Sequence, residues 1–125
     1  MRKIRVLIAE DEPHLRLLYE LELRREGFDT EAAADADECL RSLARTCPDL
    51  VVLDYGIPGM SGLELMQRIR DRHRVPIVVN TGYSDLDRTA TAQMADALVV
   101  KSADLSELVA AVREQVGLSR HTECA

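Results

Sequence analysis

The sequence predicts an α/β fold built on one parallel, doubly wound five-stranded sheet. Three observations carry this. Short Val- and Ile-rich runs alternate strictly with helical segments. Each interval between runs has room for a crossover helix, as parallel neighbours require. The chain has 125 residues, 46% of them apolar, which suits one domain with one core. At this length the strand order 2-1-3-4-5, the flavodoxin-like order, is the best match.

The first strand is Ile4–Ala9, and Asp11-Glu12-Pro13 follows as a helix start, with acidic residues and proline in the first turn. Leu15, Leu18 and Leu21 are the expected inward stripe of that helix. Phe28–Ala33 reads as an edge strand, with Phe28, Thr30 and Ala32 alternating against Asp29, Glu31 and Ala33. Asp35-Ala36-Asp37-Glu38 opens a second helix running to about Arg45. Leu50–Leu53 is the third strand. Ser61-Gly62-Leu63-Glu64 caps a third helix with Leu63, Met66 and Ile69 at helical spacing.

Ile77–Val79 is the fourth strand, and Ser84 to Met94 is a weaker helix rich in Thr and Ala. Ala97–Val100 is the fifth strand. Asp104-Leu105-Ser106-Glu107 caps a last helix whose stripe is Leu105, Leu108, Val109, Val112 and Val116. That stripe is mainly core, with an outer edge available to a partner. The four Val- and Ile-rich strands are expected to be buried on both faces. Residues 1–118 form the domain and 119–125 a short polar tail.

Composition narrows the function. No run approaches the roughly 20 apolar residues of a membrane span. Glu10, Asp11 and Glu12 cut short the apolar stretch after the basic N-terminus, which argues against a signal peptide. A net charge of −6 argues against direct nucleic-acid binding. Cys39, Cys47 and Cys124 are odd in number and fit no zinc spacing, so they are expected to be reduced thiols of a cytoplasmic protein. No base accompanies them, and His14, His73 and His121 fall on helix surfaces or in the tail without a nucleophile.

In an open α/β sheet, function gathers beyond the carboxyl ends of the strands, near the switch in strand order. Strand 1 ends in Ala9-Glu10-Asp11-Glu12, strand 3 in Asp54, strand 4 in Asn80-Thr81-Gly82 and strand 5 in Lys101. With strands 1 and 3 adjacent, Glu10, Asp11 and Asp54 converge. Three carboxylates in one crevice raise one another's pKa, and a hard divalent cation relieves this. Mg²⁺ suits the place, because it takes a few carboxylates and keeps several waters. Lys101 adds a compact positive charge and Thr81 a hydroxyl. Such a set can hold a phosphoryl group while Asp54 attacks the phosphorus.

These residues resemble a known family. Over roughly residues 3 to 117 the chain is similar to the receiver domain of bacterial response regulators. Glu10-Asp11 match the acidic pair after strand 1, Asp54 the phosphoacceptor, and Ile57-Pro58-Gly59-Met60-Ser61-Gly62 the loop after it. Thr81 matches the switch hydroxyl and Lys101 the lysine after strand 5. The resemblance implies that Asp54 takes phosphate from a histidine kinase or phosphotransfer protein. It also implies that Asp11, Asp54 and the Gly56 carbonyl bind Mg²⁺ directly, with Glu10 acting through water. Output would pass to a protein target through the face made by the fourth helix, the fifth strand and the fifth helix. The domain would then be a stand-alone regulator or part of a longer protein.

Departures from the family pattern affect signalling more than chemistry. Glu10 stands for the commoner Asp. Ser102 follows Lys101 where proline is usual, and a non-proline cis bond there would cost about 2.5–4 kcal/mol. Leu98 takes the position of the switch aromatic, with Tyr83 as a partial substitute, and the Thr81–Lys101 stretch is slightly short. Gly56 and Tyr83 occupy the two positions that tune phosphate lifetime. Gly56 has no side chain to orient water and Tyr83 crowds its path, so self-dephosphorylation is expected to be slow. Two other readings compete: a phosphate-independent interaction module, and a Mg²⁺-dependent aspartyl phosphohydrolase. The latter lacks a second Asp two residues after Asp54, where Gly56 stands, and has no cap insertion.

Overall fold

The computed structural model describes residues 3–82 and 94–118. The expected helix at Ser84 to Met94, apart from its last residue, lies outside these, as do Tyr83, His121 and the tail. The strands are β1 (Arg5–Ala9), β2 (Asp29–Ala33), β3 (Leu50–Leu53), β4 (Ile77–Thr81) and β5 (Ala97–Val100). The described helices are α1 (Pro13–Arg25), α2 (Ala36–Thr46), α3 (Gly62–Arg72) and α4 (Ser106–Leu118). All strand pairs are parallel, and their order is β2-β1-β3-β4-β5, as the alternation predicts.

The helix starts follow the side-chain chemistry. Glu12 caps α1, its carboxylate accepting from the amides of His14 and Leu15. Asp35 accepts from Glu38 N–H at the start of α2, and Ser61 from Glu64 N–H at the start of α3. Glu64 does not complete the reciprocal half of a capping box; its carboxylate is drawn to Arg68 one turn on. Asp104 accepts from Ser106 N–H where α4 begins. Gly62 is required at the first turn of α3, because a Cβ there would lie 2.7 Å from the Tyr55 carbonyl oxygen.

Two apolar layers sandwich the sheet. On one side Leu7, Ala9, Val51, Leu53, Ile77 and Val79 pack against α2 and α3. On the other Val6, Ile8, Leu50, Val52, Val78 and Val99 pack against Tyr19 and Leu23 of α1 and Leu108 and Val112 of α4. Each fully buried Leu or Ile contributes about 1.5–3 kcal/mol. Arg70 ties α3 to the chain entering β5, donating to the carbonyls of Met94 and Val75 and to the Asp96 carboxylate.

Four expectations need correction. The inward stripe of α1 is Leu15, Tyr19 and Leu23, not Leu15, Leu18 and Leu21. Leu18 and Leu21 are exposed, Leu21 by 54%, because α1 turns its i, i+4, i+8 row to the sheet. β2 does not alternate cleanly: only Ala33 of the strand is buried. β5 is not buried on both faces, since Leu98 and Val100 are exposed on this edge strand. Finally, Cys47 is disulfide-bonded rather than reduced. It caps α2 in the left-handed conformation. Cys39 is a free thiol as expected, and Cys124 lies outside the described residues.

Burial pushes the Cys39 thiol up to about 12, with the nearby Asp35 charge adding to the effect. Its thiolate at pH 8 is therefore only about 10⁻⁴ of the total. Native protein treated with iodoacetamide at pH 8 should stay unlabelled at Cys39 for as long as denatured protein takes to label fully. Peptide mass spectrometry reads this, and rapid native labelling would show that α2 opens.

Candidate functional site

The strand register assembles the site. Ala9 pairs with Leu53, so the residues after them, Glu10 and Asp54, emerge side by side. The Asp54 amide donates to the Ala9 carbonyl at 2.9 Å, and the Glu10 amide to the Ala33 carbonyl at 3.0 Å. Both tips are thereby pinned to the sheet. Thr81 pairs with Val100, and the Lys101 amide donates to the Thr81 carbonyl at 2.8 Å. The lysine thus leaves β5 beside the end of β4, aimed toward the acids.

Glu10 and Asp54 are only 2% and 6% exposed, while Asp11 is open to solvent. One carboxylate oxygen from each of the three lies within 4.8 Å of the others. The Lys101 ammonium stands 2.7 Å from Glu10 Oε1 and 3.3 Å from Asp54 Oδ2. Asp54 Oδ1 accepts from the Gly56 amide at 3.1 Å, which closes the first turn of the following loop. That loop then rests on α2: the Ala36 amide donates to the Pro58 carbonyl at 2.9 Å, and Gly59 takes φ +112° against Ala36. A side chain is disfavoured at that φ.

The electrostatics follow from burial. Desolvation raises the Glu10 pKa, and Asp54 adds to it, against the opposing pull of Lys101 and the Glu12 amide. Burial alone would lower the Lys101 pKa, but the adjoining Glu10 carboxylate and the Asp54 charge raise it on balance. Lys101 is therefore a firm cation, held between two acids it only partly neutralises.

The donor set fits a hard divalent cation. All three candidate ligands are oxygens within one small span, and Asp11 faces solvent, where coordinated waters would sit. Glu10 Oε1 is buried and, despite its closeness to Lys101, makes no well-directed hydrogen bond. It is an acceptor aimed into the acid pocket.

The structure brings Glu10, Asp11, Asp54 and Lys101 together, as expected. Thr81 is buried at the end of β4, and Gly56 is exposed in the loop beyond Asp54. Three residues near the site were not anticipated. Arg16 reaches back from α1, its Nη1 donating to the carbonyls of Glu10 at 2.9 Å and Asp11 at 3.4 Å, and so holds the acidic turn. Tyr19 of α1 and Asn80, which precedes Thr81 on β4, are buried. No motif marks Arg16; Tyr19 fell outside the expected inward stripe of its helix, and Asn80 was read only as part of the end of strand 4.

The sequence model of the response regulator receiver domain matches residues 6–113. The chain belongs to the response regulator receiver domain family. Among relatives, it is similar to the transcriptional regulatory protein TrcR of Mycobacterium tuberculosis, at 37% identity over 96% of this chain and 48% of that protein. The chain spans about half the length of the curated relatives it matches. Among solved structures, it is similar to the response regulator TrrA of Thermotoga maritima in complex with Mg²⁺-BeF. The TM-score is 0.84 at 35% identity, covering 90% of this chain and 98% of that one. TrrA in complex with the histidine kinase ThkA matches at a TM-score of 0.83 and 35% identity, with the same coverage. The receiver fold of this chain is thus shared with response regulators, and its function is that of a two-component receiver domain. No helix among its described residues is long and apolar enough to cross a membrane.

Proposed function

We propose that this receiver domain accepts a phosphoryl group on Asp54 in a Mg²⁺-dependent reaction and acts as a switch rather than turning over a substrate. The observation that carries the reading is the convergence of Glu10, Asp11 and Asp54 within 4.8 Å, with Lys101 at 3.3 Å from Asp54. Asp11, Asp54 and the Gly56 carbonyl would hold Mg²⁺, with Glu10 acting through water. The ion, when bound, supplies positive charge to the phosphoryl oxygens.

The chain's own residues do the rest. Asp54 sits at the end of a buried strand, tethered by its backbone to β1 and by Oδ1 to the Gly56 amide, so its carboxylate is held in place for attack. A carboxylate oxygen forms the new bond to phosphorus as the phosphorus–nitrogen bond of a phosphohistidine donor breaks, and the histidine leaves. Lys101 balances charge on the transferred group, and the Thr81 hydroxyl is the switch that turns toward it.

The donor is a histidine kinase or phosphotransfer protein, a reading supported by the likeness to TrrA, which has been seen with ThkA. Output passes to a protein target through the face that includes β5 and α4; the expected helix at 84–94 lies outside the described residues apart from Met94. A net charge of −6 supports a domain that does not itself touch nucleic acid. The switching unit is residues 1–118, with 119–125 as a tail, and it works in the cytoplasm. The disulfide at Cys47 is the described feature least at home there.

Incubation with acetyl phosphate and Mg²⁺, followed by intact-mass analysis, tests the reading. One phosphate should add per chain, only with Mg²⁺, and persist for many minutes, since Gly56 offers no side chain to orient an attacking water. Repeated turnover would favour a hydrolase. No modification would favour a passive module, to which the exposed Leu98, in place of a switch aromatic, lends some support. A lifetime of seconds would refute slow self-dephosphorylation alone.

A further inference from the structure

The turn between β1 and α1 carries two of the three acids, and its carbonyls are held by a side chain. β1 ends at Ala9, and α1 begins at Pro13, which has no N–H to offer. The Glu12 carboxylate accepts from the His14 and Leu15 amides, and the Arg16 amide donates to the Glu12 carbonyl at 2.9 Å. The helix amides that could reach back to the Glu10 and Asp11 carbonyls are therefore engaged elsewhere. The Arg16 guanidinium meets those carbonyls instead. Its Nη1 donates to Glu10 at 2.9 Å and, more weakly, to Asp11 at 3.4 Å.

Charge does not account for Arg16 at this place. A cation in the first turn of a helix stands against the helix dipole. Glu10, Asp11 and Glu12 all precede it closely in the chain. Yet among the described residues its guanidinium is bonded to carbonyl oxygens and to no carboxylate. The side chain is half-buried and folds back toward the helix start, the direction in which helical side chains lean.

The grip matters because of how Asp11 is placed. Asp11 is exposed, and Glu12 rather than Asp11 caps α1. The Asp11 carboxylate is therefore aimed by the backbone of its turn. Other bonds already fix the strand side of that turn: the Glu10 amide donates to the Ala33 carbonyl at 3.0 Å, and the Glu10 carboxylate accepts from the Glu12 amide at 3.1 Å. Arg16 secures the carbonyl side. Oxygens of Glu10, Asp11 and Asp54 gather within 4.8 Å. Mg²⁺ tolerates little departure from octahedral geometry, so a slack turn would present Asp11 poorly.

We infer that Arg16 is a positioning residue of the acid pocket: by holding the Glu10 and Asp11 carbonyls it aims the Asp11 carboxylate and raises the affinity for Mg²⁺. It touches neither metal nor phosphate, and the inference rests on the reading of Glu10, Asp11 and Asp54 as the Mg²⁺ site. The sign of the effect separates this role from a simpler one. A positive charge beside a cation site by itself weakens cation binding. As a bystander charge, Arg16 would lower Mg²⁺ affinity, and its removal would tighten binding. As a grip, it raises affinity, and its removal loosens binding.

The test compares Arg16→Met, which keeps the stem without charge or donors, with Arg16→Lys, which keeps the charge without the planar fork. Calorimetric titration measures the Mg²⁺ affinity of the native chain and each variant. Melting temperature and the Mg²⁺ dependence of phosphorylation by acetyl phosphate are followed alongside. Arg16→Met should bind Mg²⁺ about tenfold more weakly, the low end for groups that orient metal ligands. Arg16→Lys should lose roughly threefold, because an ammonium replaces the fork less well. The Mg²⁺ concentration that half-saturates phosphorylation should rise by the same factors, and high Mg²⁺ should restore the rate. In an Asp11→Asn background, Arg16→Met should weaken binding by less than about twofold more, since both changes act through one ligand. Tighter Mg²⁺ binding by Arg16→Met would overturn the inference in favour of a bystander charge. Native Mg²⁺ affinity with a lower melting temperature would make Arg16 a support of the fold alone, and would overturn it too. The full loss in the Asp11→Asn background would do the same. A native chain that does not bind Mg²⁺ would overturn the metal site and the inference together. Weaker Mg²⁺ binding in the variants of a chain that acetyl phosphate never modifies would uphold the role of Arg16 and overturn the phosphoacceptor reading alone.

Discussion

Asp54→Asn should yield a folded protein that acetyl phosphate no longer modifies. The change is nearly isosteric, and the carboxamide oxygen can still accept from the Gly56 amide, a bond of 3.1 Å in the native chain. The backbone bond to Ala9 does not involve the side chain. What disappears is the nucleophile, and the rate of modification should fall by on the order of a thousandfold or more. The same change should stabilise the metal-free protein. Glu10, Asp11 and Asp54 crowd around one lysine, and Lys101 is closer to Glu10, at 2.7 Å, than to Asp54, at 3.3 Å. Removing the Asp54 charge relieves repulsion on Glu10 at little loss to the tighter pair. A gain of about 1 kcal/mol, or a few degrees in melting temperature, is expected. Intact-mass analysis and thermal melts check both. A lower melting temperature would mean that the Asp54–Lys101 contact matters more to the fold than the repulsion.

Asp11→Asn should separate a metal ligand from an ordinary solvated helix start. Asp11 is exposed and does not cap α1; Glu12 does that. Stability without metal should therefore stay within about 0.5 kcal/mol of native. Mg²⁺ affinity should fall about tenfold or more, equal to about 1.4 kcal/mol or more of binding, because an anionic oxygen becomes neutral. Phosphorylation should slow at low Mg²⁺ and recover largely at high Mg²⁺. Calorimetric titration and phosphorylation rates across a Mg²⁺ series measure this. Unchanged Mg²⁺ dependence would return Asp11 to the role of a surface acid.

The fold was legible because its signals are local and repeated. Leu50–Leu53 and Ile77–Val79 are too short and too β-branched for helices, and Ser61 and Asp35 mark helix starts by a hydrogen bond to an amide three residues on. The site was legible because parallel order brings the residues after β1 and β3 together whatever else the chain does. The errors other than the disulfide at Cys47 have a common origin in surfaces. Leu15, Leu18 and Leu21 satisfy a helical period as well as Leu15, Tyr19 and Leu23 do. Only the packing of α1 on the sheet decides which row turns inward. β5 reads as a buried strand by composition, yet it is an edge, and Leu98 and Val100 are exposed. The Arg16 contact was invisible for another reason: a long side chain folding back to a carbonyl leaves no periodic trace.

The most direct measurement is a Mg²⁺ titration of the metal-free protein followed by amide NMR. Saturable shifts should concentrate at residues 9–12 and 54–57, the two loops that carry Glu10, Asp11, Asp54 and Gly56, and should be lost in Asp11→Asn. A spectrum unmoved by Mg²⁺, or shifts spread over the acidic surface without saturation, would contradict the account.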